Sequence, residues 1–546
     1  MKQPSLPLLL PALLVSASLS HAQNLPDAGS VREQTQNVAP SLPRPVELRL
    51  DGQPLPPVEE GGMRFRLEAV DIEGNTVVAT EELQALIAGD VGKEVDFGGL
   101  RAIANKISQF YRDRGYIFAK AALPAQDIVG GKVRLLVLEG KLGKVEATLD
   151  GQASEVLQAY LGDLKTGDVI ESDKVERAAL LLADLPGYNV VPVVRPSETV
   201  GAGDLEVIAK ESAQYEGSLR ADNHGGELTG ANRLLLSLAR NRNMVVGDRL
   251  QVDALASEGG TGLFNLQYSL PLGTDGWRGT LGWSHSTYKL SDLAGFEDGE
   301  FKGGSDVLSL GLSYPLVRSQ RVNLTFSAGL NLSRFNNTRP AVDDEKYEST
   351  TLPLSLRFNR MDNIGGGGIN FGMVSLTTGR IKAKANYLSP ATEGSFSKFG
   401  LDVARVQNLP GSFTLYGRLN AQHASDALDS SERMSAGGAS GVRAFPSGEA
   451  SGDRGTLAQM ELRYQSPLAG LQPYVFADTA SMTRLDKEAG NTTRRISGHG
   501  VGIRWQRANF SADLAAAWVG RSGLDDDAAA KALKEPRYWL SLNLAF

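Results

Sequence analysis

From about residue 213 to residue 546, apolar and polar side chains alternate with the period of two that is typical of β-strands. A strand is predicted over 457–465, where one face is apolar and the other polar: Ala458, Met460, Leu462 and Tyr464 against Gln459, Glu461, Arg463 and Gln465. The same alternation recurs at 264–270, 322–330, 354–359, 501–506 and 538–546. A soluble sheet hides its apolar face in a core, whereas a membrane barrel turns that face toward lipid and its polar face toward a wet lumen. The extent of the pattern favours an all-β transmembrane barrel of about 16 antiparallel strands over a soluble all-β domain.

Residues 63–212 have a different pattern, in which strands alternate with amphipathic helices. The first repeat, 63–140, reads as one strand, two helices and two further strands. The second repeat, 141–212, has the same β-α-α-β-β order. Each repeat joins helix to strand through glycine and tyrosine, at Gly115-Tyr116 and Gly187-Tyr188. The chain is therefore predicted to carry two tandem α+β domains before the barrel at 213–546.

The first 62 residues contain three segments without a core-forming pattern. Residues 1–22 combine a basic start, a short apolar run and the small residues Ser20 and Ala22, which is typical of a cleaved secretory signal peptide. The apolar run is too short to span a bilayer comfortably. Residues 23–39 predict a short polar helix, with a disordered N-terminus as the alternative. Residues 40–62 predict an extended proline-rich linker.

Composition argues against several classes of function. The formal net charge is −7 and no basic block stands out, so nucleic acid is not an expected partner. The sequence has no cysteine, and its five histidines lack the spacing of metal ligands. Neither a Gly-x-Ser-x-Gly elbow nor a phosphate-binding loop occurs. We therefore expect no metal, no cofactor and no enzymatic activity.

Two short motifs lie within the predicted barrel. The first is a loop rich in glycine and serine, 440–455, which carries Val442, Arg443, Ala444 and Phe445, followed by Gly448-Glu449 and Gly452-Asp453. The second is Phe476-x-Asp478-x-Ala480 on a later strand. Phe476 and Asp478 are two residues apart, so both side chains point to the same side of that strand.

Together these features resemble the TpsB transporters of two-partner secretion, the haemolysin-activator and filamentous-haemagglutinin transporter family of the POTRA-barrel superfamily. The resemblance covers essentially the whole mature chain, with 63–140 similar to a first POTRA domain and 141–212 to a second. The family carries Val-Arg-Gly-Tyr/Phe on its sixth extracellular loop and Phe-x-Asp-x-Gly on a later strand. Here Ala444 and Ala480 replace the two glycines. Glycine at position 444 would permit a positive φ that alanine disfavours.

The resemblance implies that the loop folds back into the lumen and that Arg443 pairs with Asp478. Such a pair suits a partly desolvated lumen, where a guanidinium needs a carboxylate and can bind it through two nitrogens. The resemblance also implies that the helix of 23–39 occupies the pore at rest, while the linker allows it to leave.

In function, the resemblance implies a pore in the outer membrane with POTRA domains in the periplasm. The pore would secrete one dedicated large exoprotein, of adhesin or haemolysin type with an N-terminal secretion domain, by two-partner (type V) secretion. The POTRA domains would capture the unfolded substrate by strand addition. The candidate strand lies around Ile117, Phe118, Ala119, Lys120 and Ala121.

The last residue, Phe546, ends an amphipathic strand. A terminal aromatic residue there indicates a signal for the barrel-assembly machinery during biogenesis, and outer-membrane lipid is the expected surrounding. The alternative function is an outer-membrane barrel insertion or assembly factor, although such relatives usually carry more repeats.

Overall fold

The structure is a computed structural model that describes residues 26–36, 63–199, 201–290, 297, 300–340, 342–522 and 535–546. The predicted signal peptide at 1–22 and the predicted linker at 40–62 lie outside these residues. The N-terminal segment contributes one helix, α1 (Ala28–Gln36). No described helix is long and apolar enough to cross a membrane.

The two repeats fold as small α/β units in the predicted element order. The first repeat contains β1 (Phe65–Arg66), β2 (Ala69–Glu73), α2 (Thr80–Ile87), β3 (Glu94–Val95), α3 (Phe97–Asp113), β4 (Lys120–Ala122) and β5 (Lys132–Leu138). The second contains β6 (Lys141–Leu149), β7 (Gln152–Ala153), α4 (Glu155–Gln158), α5 (Ser172–Ala183), β8 (Tyr188–Pro196) and β9 (Ala202–Glu211). Their main sheets have the strand orders β2-β5-β4 and β7-β6-β9-β8. Each unit encloses its own apolar core, because its helices carry apolar residues at helical spacing on the face that covers the sheet.

The strand predicted around 117–121 is shorter than expected, and this part of the prediction was wrong. Only Lys120 and Ala121 belong to β4, whereas Ile117 and Phe118 form a turn. The amide of Ala119 donates to the carbonyl of Tyr116 at 3.0 Å, which closes this turn. Phe118 packs against the core of the second repeat, so the segment joins the two repeats.

The remaining strands form one closed barrel of 16 antiparallel strands, which confirms the predicted architecture. They are β10 (Tyr215–Asp222), β11 (Arg233–Asn241), β12 (Arg249–Ser257), β13 (Gly262–Pro271), β14 (Arg278–Lys289), β15 (Lys302–Arg318), β16 (Val322–Arg339), β17 (Val342–Asp362), β18 (Gly368–Ala385), β19 (Gly394–Leu409), β20 (Phe413–Ala424), β23 (Arg454–Tyr464), β24 (Leu471–Arg484), β25 (Thr492–Arg507), β26 (Phe510–Arg521) and β27 (Arg537–Ala545). A long loop between β20 and β23 contains the short pair β21 (Met434–Ser435) and β22 (Ser451–Gly452). Pairing of β10 with β27 closes the barrel.

Side chains alternate across the barrel wall as the sequence predicts. The outward side chains of Leu308, Leu310 and Leu352 are 44%, 50% and 51% exposed. Inward positions carry polar residues such as Glu461 and Asp478, which are buried by lumenal contacts. An apolar outer face and a polar interior are the inverse of a soluble sheet and match a barrel surrounded by lipid.

The second repeat docks on one end of the barrel, here named the proximal end. Arg318, beside the turn between β15 and β16, binds Asp184 of the second repeat through Nε and Nη2, at 2.7 and 2.8 Å. Arg242, in the turn after β11, donates to the carbonyl of Gly187 at 2.9 Å. Arg177 of α5 donates to the carbonyl of Pro315 at 3.0 Å. The opposite end, here named the distal end, holds the β20–β23 loop and helix α1.

Candidate functional site

The β20–β23 loop, residues 425–453, folds into the barrel instead of extending from it. Val442, Ala444 and Phe445 at its apex are at most 1% exposed and belong to one apolar cluster with lumenal side chains of the wall. Backbone bonds hold the apex: the amide of Val442 donates to the carbonyl of Ala436 at 2.6 Å, and that of Phe445 to the carbonyl of Val442 at 3.1 Å. The loop is therefore a packed part of the interior.

Arg443 at the apex contacts two carboxylates of the barrel wall. Its Nε and Nη2 donate to the two carboxylate oxygens of Asp478 at 2.8 and 2.7 Å, the side-on geometry of a strong Arg–carboxylate pair. Its backbone amide donates to Asp478 Oδ2 at 3.1 Å, and its Nη1 donates to Glu461 Oε1 at 2.6 Å. Arg443 is 5% exposed, Asp478 3% and Glu461 4%. Burial at this level requires that each charge be compensated, and here each one is.

The wall continues this network beyond the loop. Glu461 also accepts from Arg504 at 3.0 Å and from Arg463 at 2.8 Å. Arg504 in turn donates from Nε to Asp513 at 2.7 Å. With Arg443 and Asp478 the network contains three guanidinium groups and three carboxylates, so it is electrically balanced. The loop arginine therefore completes a charge arrangement that spans four strands, β23 to β26.

Two aromatic side chains fix the position of Arg443 further. Its guanidinium lies 3.5 Å from the centroid of the Phe476 ring, within the range of a cation–π contact. The indole Nε1 of Trp539 donates to the backbone carbonyl of Arg443 at 2.6 Å. Phe476 and Trp539 come from β24 and β27, and Glu461 from β23, so three strands of the wall contact a single residue of the loop.

Ala444 fits the loop without the special backbone that glycine would permit. The described non-glycine residues with positive φ are Asp150, Arg242, Asn386, Ser412 and Ala508, and Ala444 is not among them. The room for its methyl group comes from Gly498 on β25, where an added Cβ would lie 2.5 Å from the Ala444 Cβ. A residue without a side chain in the wall thus faces the alanine in the loop.

This packing predicts different outcomes for a smaller and a larger residue at position 444. Ala444→Gly is expected to leave the secretion that the family resemblance implies unchanged, because it removes only a methyl group and adds no atom to the packed site. Ala444→Leu overpacks a closed site at a cost of ~1–3 kcal/mol and is expected to reduce secretion several-fold. The matched control is Ala477→Leu, since Ala477 lies on the exposed outer face of β24, where a larger side chain has room. Equal secretion by Ala444→Leu and Ala477→Leu would contradict the assignment.

Helix α1 lies inside the barrel near its distal end and contacts the same loop. Asp27 accepts from the Ser430 hydroxyl at 2.8 Å, and the amide of Ala28 donates to Asn337 Oδ1 at 2.9 Å. Gly29 packs directly on the loop, where an added Cβ would lie 2.6 Å from the amide nitrogen of Ser431. Val31 is 3% exposed among lumenal aromatic side chains. The first turn of the helix is thus held by both the wall and the loop.

The structure brings some of the predicted site residues together and separates others. The loop motif Val442–Phe445 and the strand motif Phe476 and Asp478 form one site. The segment around Ile117–Ala121 lies in the first repeat, at the joint with the second. Phe546 lies at the barrel seam. Its amide donates to the carbonyl of Gly217 at 2.9 Å, its carbonyl accepts from the amide of Gly217 at 2.8 Å, and its ring covers the same glycine.

Sequence reasoning missed Glu461, Arg504, Trp539 and Gly498 as parts of the site. Glu461 stands on the polar face of the strand predicted at 457–465, so a lumenal location could have been deduced. Its contacts with Arg443 and Arg504 could not, because these residues lie outside its strand and reach Glu461 only through the fold of the loop and the register of the barrel.

Comparisons with known proteins agree with this architecture. A family model described as haemolysin secretion/activation protein ShlB/FhaC/HecB matches residues 201–505, and one described as POTRA domain, ShlB-type, matches residues 65–140. The chain is 28% identical over 466 residues to the heme/hemopexin transporter protein HuxB of Haemophilus influenzae, covering 82% of this chain and 81% of that protein. It is 24% identical over 468 residues to the outer membrane transporter CdiB of Dickeya dadantii, covering 84% and 83%. The solved structure of CdiB from Escherichia coli has a similar fold, with a TM-score of 0.71 at 21% identity over 92% of this chain and 94% of that one.

Proposed function

Because the chain belongs to the ShlB/FhaC/HecB family of haemolysin secretion/activation proteins, we propose that its barrel secretes one dedicated large exoprotein of adhesin or haemolysin type. The protein is an outer-membrane transporter of two-partner secretion, with its two repeats in the periplasm and a cognate exoprotein as its partner. The observation that carries the proposal is the buried contact of Arg443 with Asp478 and Glu461. This contact fixes a loop inside the lumen, where it shapes the path of a passing chain.

In this proposal, Arg443 acts as a positioning residue. It holds the loop apex against the wall and so leaves the remaining lumen free for an extended polypeptide. The wall of the lumen is polar, which suits an unfolded chain because its backbone amides and carbonyls remain hydrated during passage.

Helix α1 is proposed to close the pore at rest. Its contacts with Ser430 and Asn337 are hydrogen bonds, and Val31 adds an apolar contact. A nine-residue helix is marginal in isolation, so it depends on these lumenal contacts and is released as a unit when they are lost. Arrival of the exoprotein would supply the competing contacts.

Substrate capture is proposed at the open edge of the sheet in the first repeat. The β4 edge is covered, because the amide of Ala121 donates to the Ser108 hydroxyl of α3 at 2.9 Å. The opposite edge strand is β2, which pairs only with β5 among the described strands of that sheet. An extended substrate segment can therefore add to β2, and Asp71 and Glu73 project to solvent beside it.

This location predicts a specific cross-link. The natural sequence contains no cysteine, so a single introduced cysteine is unique in the chain. Asp71→Cys is expected to cross-link to cysteines in the N-terminal domain of an arrested exoprotein, because a strand added to β2 lies one strand spacing away, about 5 Å. Lys120→Cys on the covered β4 edge is the matched control and is expected to give several-fold less product. More product from Lys120→Cys than from Asp71→Cys would place capture elsewhere.

Two further partners are proposed. Phe546 at the seam is proposed as the signal by which the barrel-assembly machinery recognises the chain. Outer-membrane lipid is proposed to cover the apolar outer face, which the exposed leucines of the barrel support.

The experiment that tests the function deletes the protein in its own host and measures both the secreted proteome and the outer-membrane barrels. Loss of one large exoprotein with normal barrels is expected. A general fall in outer-membrane proteins without a single missing exoprotein would overturn the proposal and support an insertion or assembly factor.

A further inference from the structure

The outer face of the barrel carries a dense group of basic side chains at the distal end of β14 to β18. The strand register defines rows of outward residues across these strands. One row is apolar: Leu281, Leu310 and Leu330. The next row toward the distal end is mixed: Trp283, Leu308, Leu332, Thr350 and Arg380. The row beyond it is charged: His285, Asp306, Arg334, Glu348 and Lys382.

Beyond these rows the face remains basic. Lys346 and Lys384 are exposed at the β17–β18 pair, and Lys289 pairs with Lys302 across β14 and β15. The distal outer face of these five strands therefore carries seven basic side chains against three carboxylates, Asp306, Asp344 and Glu348. We name this surface the distal basic patch.

Internal pairing does not consume the positive charge of the patch. Asp306 binds His285 at 2.8 Å, and Glu348 is shared by Lys384 at 2.9 Å and Arg334 at 3.5 Å. Neither Arg380 nor Lys382 forms an ion pair within 4.0 Å with any residue that the structure describes. Positive charge thus remains available to an external anion.

A groove of about 410 Å³ crosses the boundary between the apolar and charged rows. Trp283, Leu308 and Leu332 line its apolar side, whereas Asp306, Arg334 and Glu348 line its charged side. Arg380 and Lys382 are the register partners of Thr350 and Glu348 in the groove lining, so they place positive charge beside the groove. A ligand that fits the apolar rows and these two basic groups has hydrocarbon at one end and negative charge at the other.

We propose that the distal basic patch binds the phosphorylated glycolipid of the outer leaflet, the lipid A portion of lipopolysaccharide. The proposal rests on the outer-membrane location of the barrel. Because the repeats lie in the periplasm and dock on the proximal end, the distal end lies in the outer leaflet. There the leucine rows contact acyl chains, and Arg380, Lys382 and Arg334 stand at the level of the sugar phosphates. Guanidinium and ammonium groups near a membrane surface bind such phosphates by charge-assisted hydrogen bonds.

The test is a binding titration of the full-length, detergent-purified protein with bis-phosphorylated lipid A, measured by native mass spectrometry. Dephosphorylated lipid A and phosphatidylglycerol serve as comparison lipids. The test variant is Arg380→Glu with Lys382→Glu. The matched control is Arg360→Glu with Arg507→Glu, which reverses two exposed charges on the same outer face at the proximal end. Heat-modifiable electrophoretic mobility verifies that each barrel is folded.

The wild type and the proximal control are expected to bind bis-phosphorylated lipid A equally. The affinity of the distal variant for it is expected to fall by about tenfold or more, since each basic group near an anionic lipid surface contributes a several-fold factor. Equal affinities of the distal variant and the wild type would overturn the proposal, as would equal binding of dephosphorylated lipid A or phosphatidylglycerol by the wild type. Exoprotein secretion is measured separately, because failure of lipid binding leaves the lumenal loop and its proposed role intact.

Discussion

Replacing Arg443 by alanine is expected to reduce secretion of the exoprotein at least ~100-fold while the barrel still assembles. The substitution leaves Asp478 without its side-chain partner in a site where it is 3% exposed. Removing one member of a buried ion pair costs ~3–5 kcal/mol, which corresponds to more than a hundredfold shift in the equilibrium that keeps the loop in place. The measurement is the amount of exoprotein in the medium, normalised to folded barrel in the outer membrane.

A matched control separates the loss of this contact from the loss of any arginine pair. Arg405 binds Asp362 through two nitrogens at 2.8 and 2.9 Å, the same type of contact, but on the outer face at the proximal end. Arg405→Ala is expected to secrete at nearly the wild-type level. Similar losses for Arg443→Ala and Arg405→Ala would contradict a specific role of the loop.

The double variant Arg443→Ala with Asp478→Ala tests whether the pair serves stability or transport. It removes both charges, so no carboxylate of the pair remains buried without compensation. Thermal stability of the barrel is therefore expected to recover toward that of the wild type, whereas secretion stays low because the loop apex has lost its anchor. Recovery of secretion in the double variant would show that Arg443 matters only for stability.

Part of this site could be predicted from two short motifs and their resemblance to a family, and the rest depends on closure of the barrel. Arg443 and Asp478 stand in short motifs that resemble those of the TpsB family, and that resemblance implied their pairing before the structure was known. The second carboxylate, Glu461, and the indole of Trp539 reach Arg443 from β23 and β27. Their approach depends on the strand register around a complete barrel, which no single strand encodes.

The first repeat shows that a short local pattern can predict a strand that the folded protein does not form. Alternation over 117–121 is compatible with a strand, but the Tyr116 carbonyl accepts from the amide of Ala119 and Phe118 packs on the second repeat. Tertiary packing therefore overrides a local strand preference that is only a few residues long. Helix α1 is a similar case, since its polar sequence gives no sign of the lumenal contacts that hold its first turn.

Gly29→Leu is expected to open the resting pore. Gly29 packs so closely on the loop that even a methyl group would lie 2.6 Å from the backbone nitrogen of Ser431, and a leucine side chain has no room. The backbone of Ser431 is part of a folded loop that cannot yield cheaply, so the helix must move away. Overpacking of ~1–3 kcal/mol shifts an equilibrium between docked and released helix by about 5- to 150-fold.

Two measurements detect this opening: the frequency of open-channel events in planar bilayers and the sensitivity of cells to a large antibiotic that an intact outer membrane excludes. Both are expected to rise by about tenfold or more, in line with the equilibrium shift. Gly89→Leu is the matched control, because Gly89 in the first repeat has open space where its side chain would lie. If Gly29→Leu conducts like the wild type, helix α1 does not close the pore. Gly29 and Arg443 make separate contacts, so we expect the pore of Gly29→Leu to open while secretion that depends on Arg443 persists. That result would show that the helix closes the pore independently of the positioning of the loop.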